Sequence, residues 1–124
     1  MSQAIVECVP NFSEGRDQTI IHAIAESIRS VEGVSLLDVD PGAATNRTVM
    51  TMVGAPDDVV EAAYQAIATA SKLIDMRQHS GAHPRMGATD VCPFVPVSGI
   101  DMDGCAALAK KLGERVGSEL NIPV

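Results

Sequence analysis

Apolar residues recur along this chain at two periods. Between Asp17 and about Val31, the residues Ile21, Ile24, Ile28 and Val31 are spaced three, four and three apart. That spacing predicts one face of an amphipathic helix, with Asp17 or a neighbour as its cap and Glu32-Gly33 as its stop. Val60, Ala63, Ile67, Ala70 and Ile74 repeat the pattern after Ala55-Pro56-Asp57-Asp58. Proline near a first turn, followed by acids at the positive end of the dipole, predicts the start of a second helix. Cys105, Leu108, Leu112 and Val116 mark a third, opened by Asp101 and Asp103. His22 falls beside the first stripe and reads as a surface histidine.

The shorter apolar runs predict strands. Ala4–Val9, closed by Pro10, and Val34–Val39, ending in Asp40-Pro41-Gly42, are the first two. In Thr48–Gly54, Val49, Thr51 and Val53 share one face and Met50 and Met52 the other, so this strand is expected at the sheet centre. Val91–Val97 is apolar but carries Pro93 and Pro96, which cannot donate to a ladder, so it is expected at an edge, bulged or irregular. Asn11–Gly15 reads as a turn-rich loop, and 76–90 as a polar loop held between rigid elements. The order is strand, helix, strand, strand, helix, loop, strand, helix, and the first six elements match a split β-α-β arrangement. The expected class is α+β: a two-layer sandwich with a mixed sheet and helices packed on one face. No repeat or linker divides residues 1–124, and Asn121–Val124 reads as the start of a further extended segment.

Composition narrows the partners. Nine basic against sixteen acidic side chains give a net charge of −7, and the aromatics are Tyr64, Phe12 and Phe94 alone. Nucleic-acid binding rests on basic charge and stacking rings, so no nucleic-acid partner is expected. No run approaches the ~18 apolar residues of a membrane span. There is no signal-like leader, and Cys8, Cys92 and Cys105 are unclustered, which points to free thiols and the cytoplasm.

The candidate chemistry gathers in His79–Val97, HSGAHPRMGATDVCPFVPV. His79 and His83 are four apart, a metal-binding spacing on a continuous helix, but Gly81 and Pro84 interrupt one and no third ligand follows at a usual distance. No metal is expected. Cys92 as a nucleophile competes with Cys92 as a buried inert thiol, and its apolar run favours the second. General acid–base work remains. An imidazole at His83 takes and gives a proton near neutrality when a carboxylate orients it, and Asp40 and Asp90 are the candidates. Arg85 offers a planar fork to a substrate carboxylate. Asn46 leaves the same loop region as Asp40. His83, with Asp40 or Asp90 as its carboxylate, is the expected acid–base centre, and Arg85, Asp90, Asn46 and His79 are the expected substrate contacts. A bland turn at Asp40 and a bland loop with two exposed histidines are the competing readings.

Longer motifs add to this. ECVPNFSEGR (Glu7–Arg16), LLDVDPG (Leu36–Gly42), NRTV (Asn46–Val49), LIDM (Leu73–Met76) and HPRMGATDVCPFVPV (His83–Val97) resemble the glutamate formimidoyltransferases, collinearly over the whole chain. The likeness is to the N-terminal subdomain of the formiminotransferase domain. It implies transfer of a formimino group from N-formimino-L-glutamate to tetrahydrofolate as co-substrate, in histidine breakdown and one-carbon metabolism. The family's H-P-R histidine is its acid–base residue and falls on His83; the aspartate of its L-D-V-D segment falls on Asp40. Where the family usually has Gly-Glu-His-Pro-Arg, this chain has Gly81-Ala82-His83-Pro84-Arg85. The resemblance also implies a second subdomain, covalent or in trans, that supplies most folate contacts. Without it an exposed face is expected to drive homo-oligomer formation. The alternative is a non-enzymatic interaction or regulatory relative that kept the fold.

Overall fold

The strand Arg47–Gly54 is the axis of the molecule. The computed structural model describes residues 4–42, 44–74 and 89–120. Its elements run β1 (Ile5–Cys8), β2 (Asn11–Phe12), α1 (Gln18–Arg29), β3 (Val34–Gly42), β4 (Arg47–Gly54), α2 (Pro56–Leu73), β5 (Thr89–Val91), β6 (Phe94–Ser98) and α3 (Met102–Glu119). β3 lies along one side of β4; β1 and β2 lie end to end along the other, followed outward by β6 and β5. The six segments therefore make four rows: β3, β4, β1–β2 and β6–β5.

Two prolines cause the breaks. Between β1 and β2, Pro10 still accepts the Met50 N–H through its carbonyl at 3.1 Å but has no N–H to return. Opposite, Val9 donates to the Pro93 carbonyl at 3.1 Å, and Pro93 likewise returns nothing. Each proline deletes one rung without ending its row. This is why Val91–Val97 is both an edge and irregular, as expected, and why Asn11-Phe12 is strand rather than loop. Phe12 is fully buried, which holds it in register with Thr48.

Every described pairing is antiparallel, where a mixed sheet was expected. Each helical crossover does connect parallel rows, β1 to β3 through α1 and β4 to the β5–β6 row through α2. A third strand is inserted between the two each time, so parallel rows never touch. Asp40-Pro41-Gly42, read from sequence as a turn, are the last residues of β3 and pair with Val49, Thr48 and Arg47. The turn comes later, at 44–46.

The helices cover one face. Val6, Cys8, Phe12, Met50 and Met52 pack beneath Ile21, Ile24, Ile28, Val59, Ala63 and Ala66, an aliphatic and methionine core consistent with the shortage of aromatics. α1 is capped by Asp17, which accepts the N–H groups of Thr19 and Ile20, and it ends before Gly33 at φ +90°. α2 carries Pro56 in its first turn with Asp57 and Asp58; Asp101 caps α3 by accepting the Gly104 N–H at 2.9 Å. α3 packs on α2 and β6. Arg115 fastens it: the guanidinium lies 3.6 Å over the Tyr64 ring, bonds Glu61 at 2.8 Å and reaches Glu119 at 3.1 Å. That bond to Arg115 first, and one from Gln65 second, hold the Glu61 carboxyl below its usual range. His22 is exposed on α1, 4.0 Å from Glu26, as a surface histidine should be. No helix is long and apolar enough to cross a membrane, among the described residues.

Among the described residues, no helix lies on the other face, hereafter the open face. Register places Ile5, Glu7, Ser35, Asp38, Asp40, Val49, Thr51, Val53, Val95 and Val97 there, and Leu37, at the β3 bulge, is 60% exposed. β3 carries acids, a bulge and Pro41, and β6 carries Pro96, features that keep exposed edges from pairing with other strands.

Candidate active site

One end of the open face collects the chain's unusual polar residues. The row there reads Val91, Asn11, Val49, Asp40 across β5, β2, β4 and β3. The Asn11 amide nitrogen donates to the Val9 carbonyl at 3.2 Å, which turns its oxygen towards Arg47, whose Nη2 is 3.5 Å away. Asp40 is exposed on β3. Two inter-strand spacings separate it from Asn11, about 10 Å. Among the described residues of the strands, Arg47 is the single cation on this face, against Glu7, Asp38 and Asp40.

The loop after β2 is built onto the 42–47 hairpin. Asn46 stands at φ +53°, only 6% exposed, and its Oδ1 accepts the Gly15 N–H at 2.9 Å. The Thr48 hydroxyl donates to the Glu14 carbonyl. Gly15 lies so close to the hairpin that a Cβ there would meet the Gly42 carbonyl at 2.3 Å and the Arg47 nitrogen at 2.6 Å. Only glycine fits. The Glu14 carboxylate accepts the N–H groups of Arg16 and Asp17 at 3.1 Å each, so carboxylates already occupy the approach to α1. The motifs NFSEGR and NRT are thus two halves of one structure.

Of the residues singled out from sequence, Asp40 and Asn46 come to this end of the sheet. Asn46 has its amide oxygen on the Gly15 backbone, a structural task that the sequence did not reveal. Asp90 belongs to β5, which pairs with β2. His79, His83 and Arg85 lie outside the described residues. The polar stretch containing them leaves α2 at Ile74, which is buried, and rejoins the sheet at Thr89, paired with Phe12. The Thr89 hydroxyl is buried and finds no hydrogen-bond partner among the described residues. Asn11 and Arg47, which also meet here, were not singled out from sequence; their signal was membership of the two motifs, and their meeting depends on register. No group of three or more His, Cys, Asp or Glu among the described residues is placed to hold a metal ion.

Strand order β3, β4, β1–β2, β6–β5, with two helical crossovers on one face, defines a ferredoxin-like α+β sandwich whose polar site lies at one end of its sheet. Residues 5–124 match the formiminotransferase domain, N-terminal subdomain, and the chain belongs to that family. It is 60% identical to a rat formimidoyltransferase-cyclodeaminase over 124 residues, all of this chain and 23% of that protein. Against glutamate formimidoyltransferases it is 49% identical to one from Streptococcus pyogenes serotype M1, over 97% of this chain and 40% of the relative. It is 50% identical to one from Thermoplasma acidophilum, over 98% and 40%. The chain therefore spans well under half the length of these relatives.

Proposed function

We propose that this chain is the catalytic-histidine half of a glutamate formimidoyltransferase, moving the formimino group from N-formimino-L-glutamate to tetrahydrofolate. The observation that carries the reading is the convergence of NFSEGR, NRT, Asp40 and the Thr89–Val91 return strand on one end of the open face. These are the long motifs by which the chain resembles transferases that it matches at 49–60% identity. No observation favours the non-enzymatic alternative.

In this reading His83 takes the proton from the attacking folate amine as the amine adds to the amidine carbon. It then gives a proton to the departing glutamate nitrogen, and Asp40 orients the ring. Three inter-strand spacings separate β5 from β3, about 14 Å. Six residues back from Thr89 reach up to about 20 Å, so chain length allows His83 to meet Asp40. Arg85, Asp90 and His79 are the proposed substrate contacts; Asn46, expected from sequence among them, is buried and acts instead by holding the Gly15 backbone. To these we add Arg47, because the substrate is a dicarboxylate and the described face otherwise bears acids.

The relatives' extra length suits a second subdomain, which we place on the open face, covalently joined or in trans. Exposed Leu37, Val95 and Val97 there suit a covered surface, and the chain alone is expected to self-associate. A cytoplasmic setting, within histidine breakdown and one-carbon metabolism, goes with the reading. The test is formimino transfer assayed with the chain alone and with a supplied second subdomain. Transfer on supplementation supports the reading. Absence of transfer with both parts folded and associated contradicts it.

A further inference from the structure

The sulfurs of Cys8 and Cys92 lie 3.5 Å apart, although the residues are 84 positions apart in sequence. Cys8 belongs to β1 and is fully buried, whereas Cys92 is partly exposed. Cys8 is paired with Phe94, so Cys92 is its diagonal neighbour two residues along the facing row. In a regular ladder such neighbours stand about 7–8 Å apart at the backbone, too far for a disulfide. Here residue 92 lies in the break between β5 and β6 that Pro93 enforces, outside the ladder, and its sulfur reaches across. Closing to a bond of about 2.05 Å needs an approach of only about 1.5 Å. The third thiol, Cys105, is buried on α3 and serves as an internal control.

We propose that Cys8 and Cys92 form a reversible dithiol–disulfide site, oxidised by a peroxide, which staples the β5–β6 edge row to the core strand β1. Cys92, the partly exposed member, meets the oxidant first. Its sulfur attacks the peroxide, the O–O bond breaks, and a sulfenic acid and water result. The Cys8 sulfur then attacks the Cys92 sulfur; the S–O bond breaks, and the departing hydroxide takes the Cys8 proton as a second water. Two thiols and one hydrogen peroxide thus give one disulfide and two waters. Before oxidation, the hydrogen bond with Cys92 and burial together push the Cys8 thiol far up, so it enters as a protonated thiol. The staple ties down the row whose β5 half pairs with Asn11 and Phe12, beside the candidate site. The proposal does not depend on the transferase reading.

The experiment treats the whole chain with hydrogen peroxide, blocks remaining thiols, and maps cross-linked peptides by mass spectrometry. The expected result is a peptide pair joining Cys8 to Cys92 within one chain, with Cys105 still a thiol and the link reversed by a dithiol reductant. The oxidised chain should also unfold at higher denaturant than the reduced chain, a difference absent in Cys92→Ser. Because Cys92 is outside the ladder and partly exposed, that variant is expected to fold. Over-oxidation of Cys92 without a cross-link, a link to Cys105 or between chains, or no reaction of either thiol would overturn the proposal.

Discussion

Asn46 and Gly15, thirty-one residues apart, form one joint: the amide oxygen of the first holds the backbone N–H of the second at 2.9 Å. Asn46 adopts φ +53°, where most residues are strained, and the Gly15 side of the joint has no room for a Cβ. Asn46→Ala leaves a buried N–H unsatisfied and keeps the left-handed backbone, for a loss of about 2–3 kcal/mol. Asn46→Gly relieves the backbone and should cost about 1 kcal/mol less. Urea unfolding of both variants checks the order; equal losses would show that the backbone conformation contributes nothing.

The link between α2 and α3 predicts a dependence on pH. Glu61 is held below its usual range chiefly by Arg115, so its contribution is present above the carboxylate's ordinary pKa. It is lost as pH falls through the lowered folded value. Arg115→Ala removes a partly exposed ion pair and the Tyr64 contact, and should cost about 1 kcal/mol near neutral pH. The loss should shrink in acid. Denaturant melts at neutral and acidic pH measure it, and a loss that grows in acid would contradict the assignment.

Thr89 offers a test of the site's edge. Its hydroxyl is buried without a partner among the described residues, so Thr89→Val should change stability by less than about 1 kcal/mol. Reduced transfer by a fully stable Thr89→Val protein would assign the hydroxyl to substrate or to the adjoining segment. A large loss of thermal stability would instead reveal a structural partner.

Arg47→Gln bears on substrate charge. If the guanidinium holds a carboxylate of formiminoglutamate, the substrate KM of the complemented enzyme should rise about tenfold or more, as loss of a charge-assisted bond implies. The KM for tetrahydrofolate should move less. An unchanged formiminoglutamate KM would remove Arg47 from the site.

These predictions rest mostly on relationships that local patterns do not carry. The helices were legible because Ile21, Ile24 and Ile28, and Val60 through Ile74, repeat at helical period, the first set behind the Asp17 cap and the second behind Pro56 and two acids. β4 was legible as central from its two apolar faces. Asp40-Pro41-Gly42 misled because residues that commonly form turns can also end an edge strand, where Pro41 withholds a donor that no neighbour needs. Asn11-Phe12 misled for a related reason: Pro10 breaks the local pattern, while burial of Phe12 and pairing with β4 restore the strand. The Asn46–Gly15 joint, the Arg47–Asn11 contact, the Cys8–Cys92 approach and the Arg115–Tyr64 stacking all depend on long-range packing or register. The motifs flagged the first three positions without saying what met what.

The acid–base role of His83 is tested by the turnover of His83→Ala in the presence of the second subdomain. With His83 as the acid–base group, kcat should fall by about 10²–10⁴-fold while thermal stability and substrate KM values stay close to those of the parent chain. Near-parental turnover by a folded His83→Ala protein would show that His83 is not the acid–base group, and the role would have to pass to another residue.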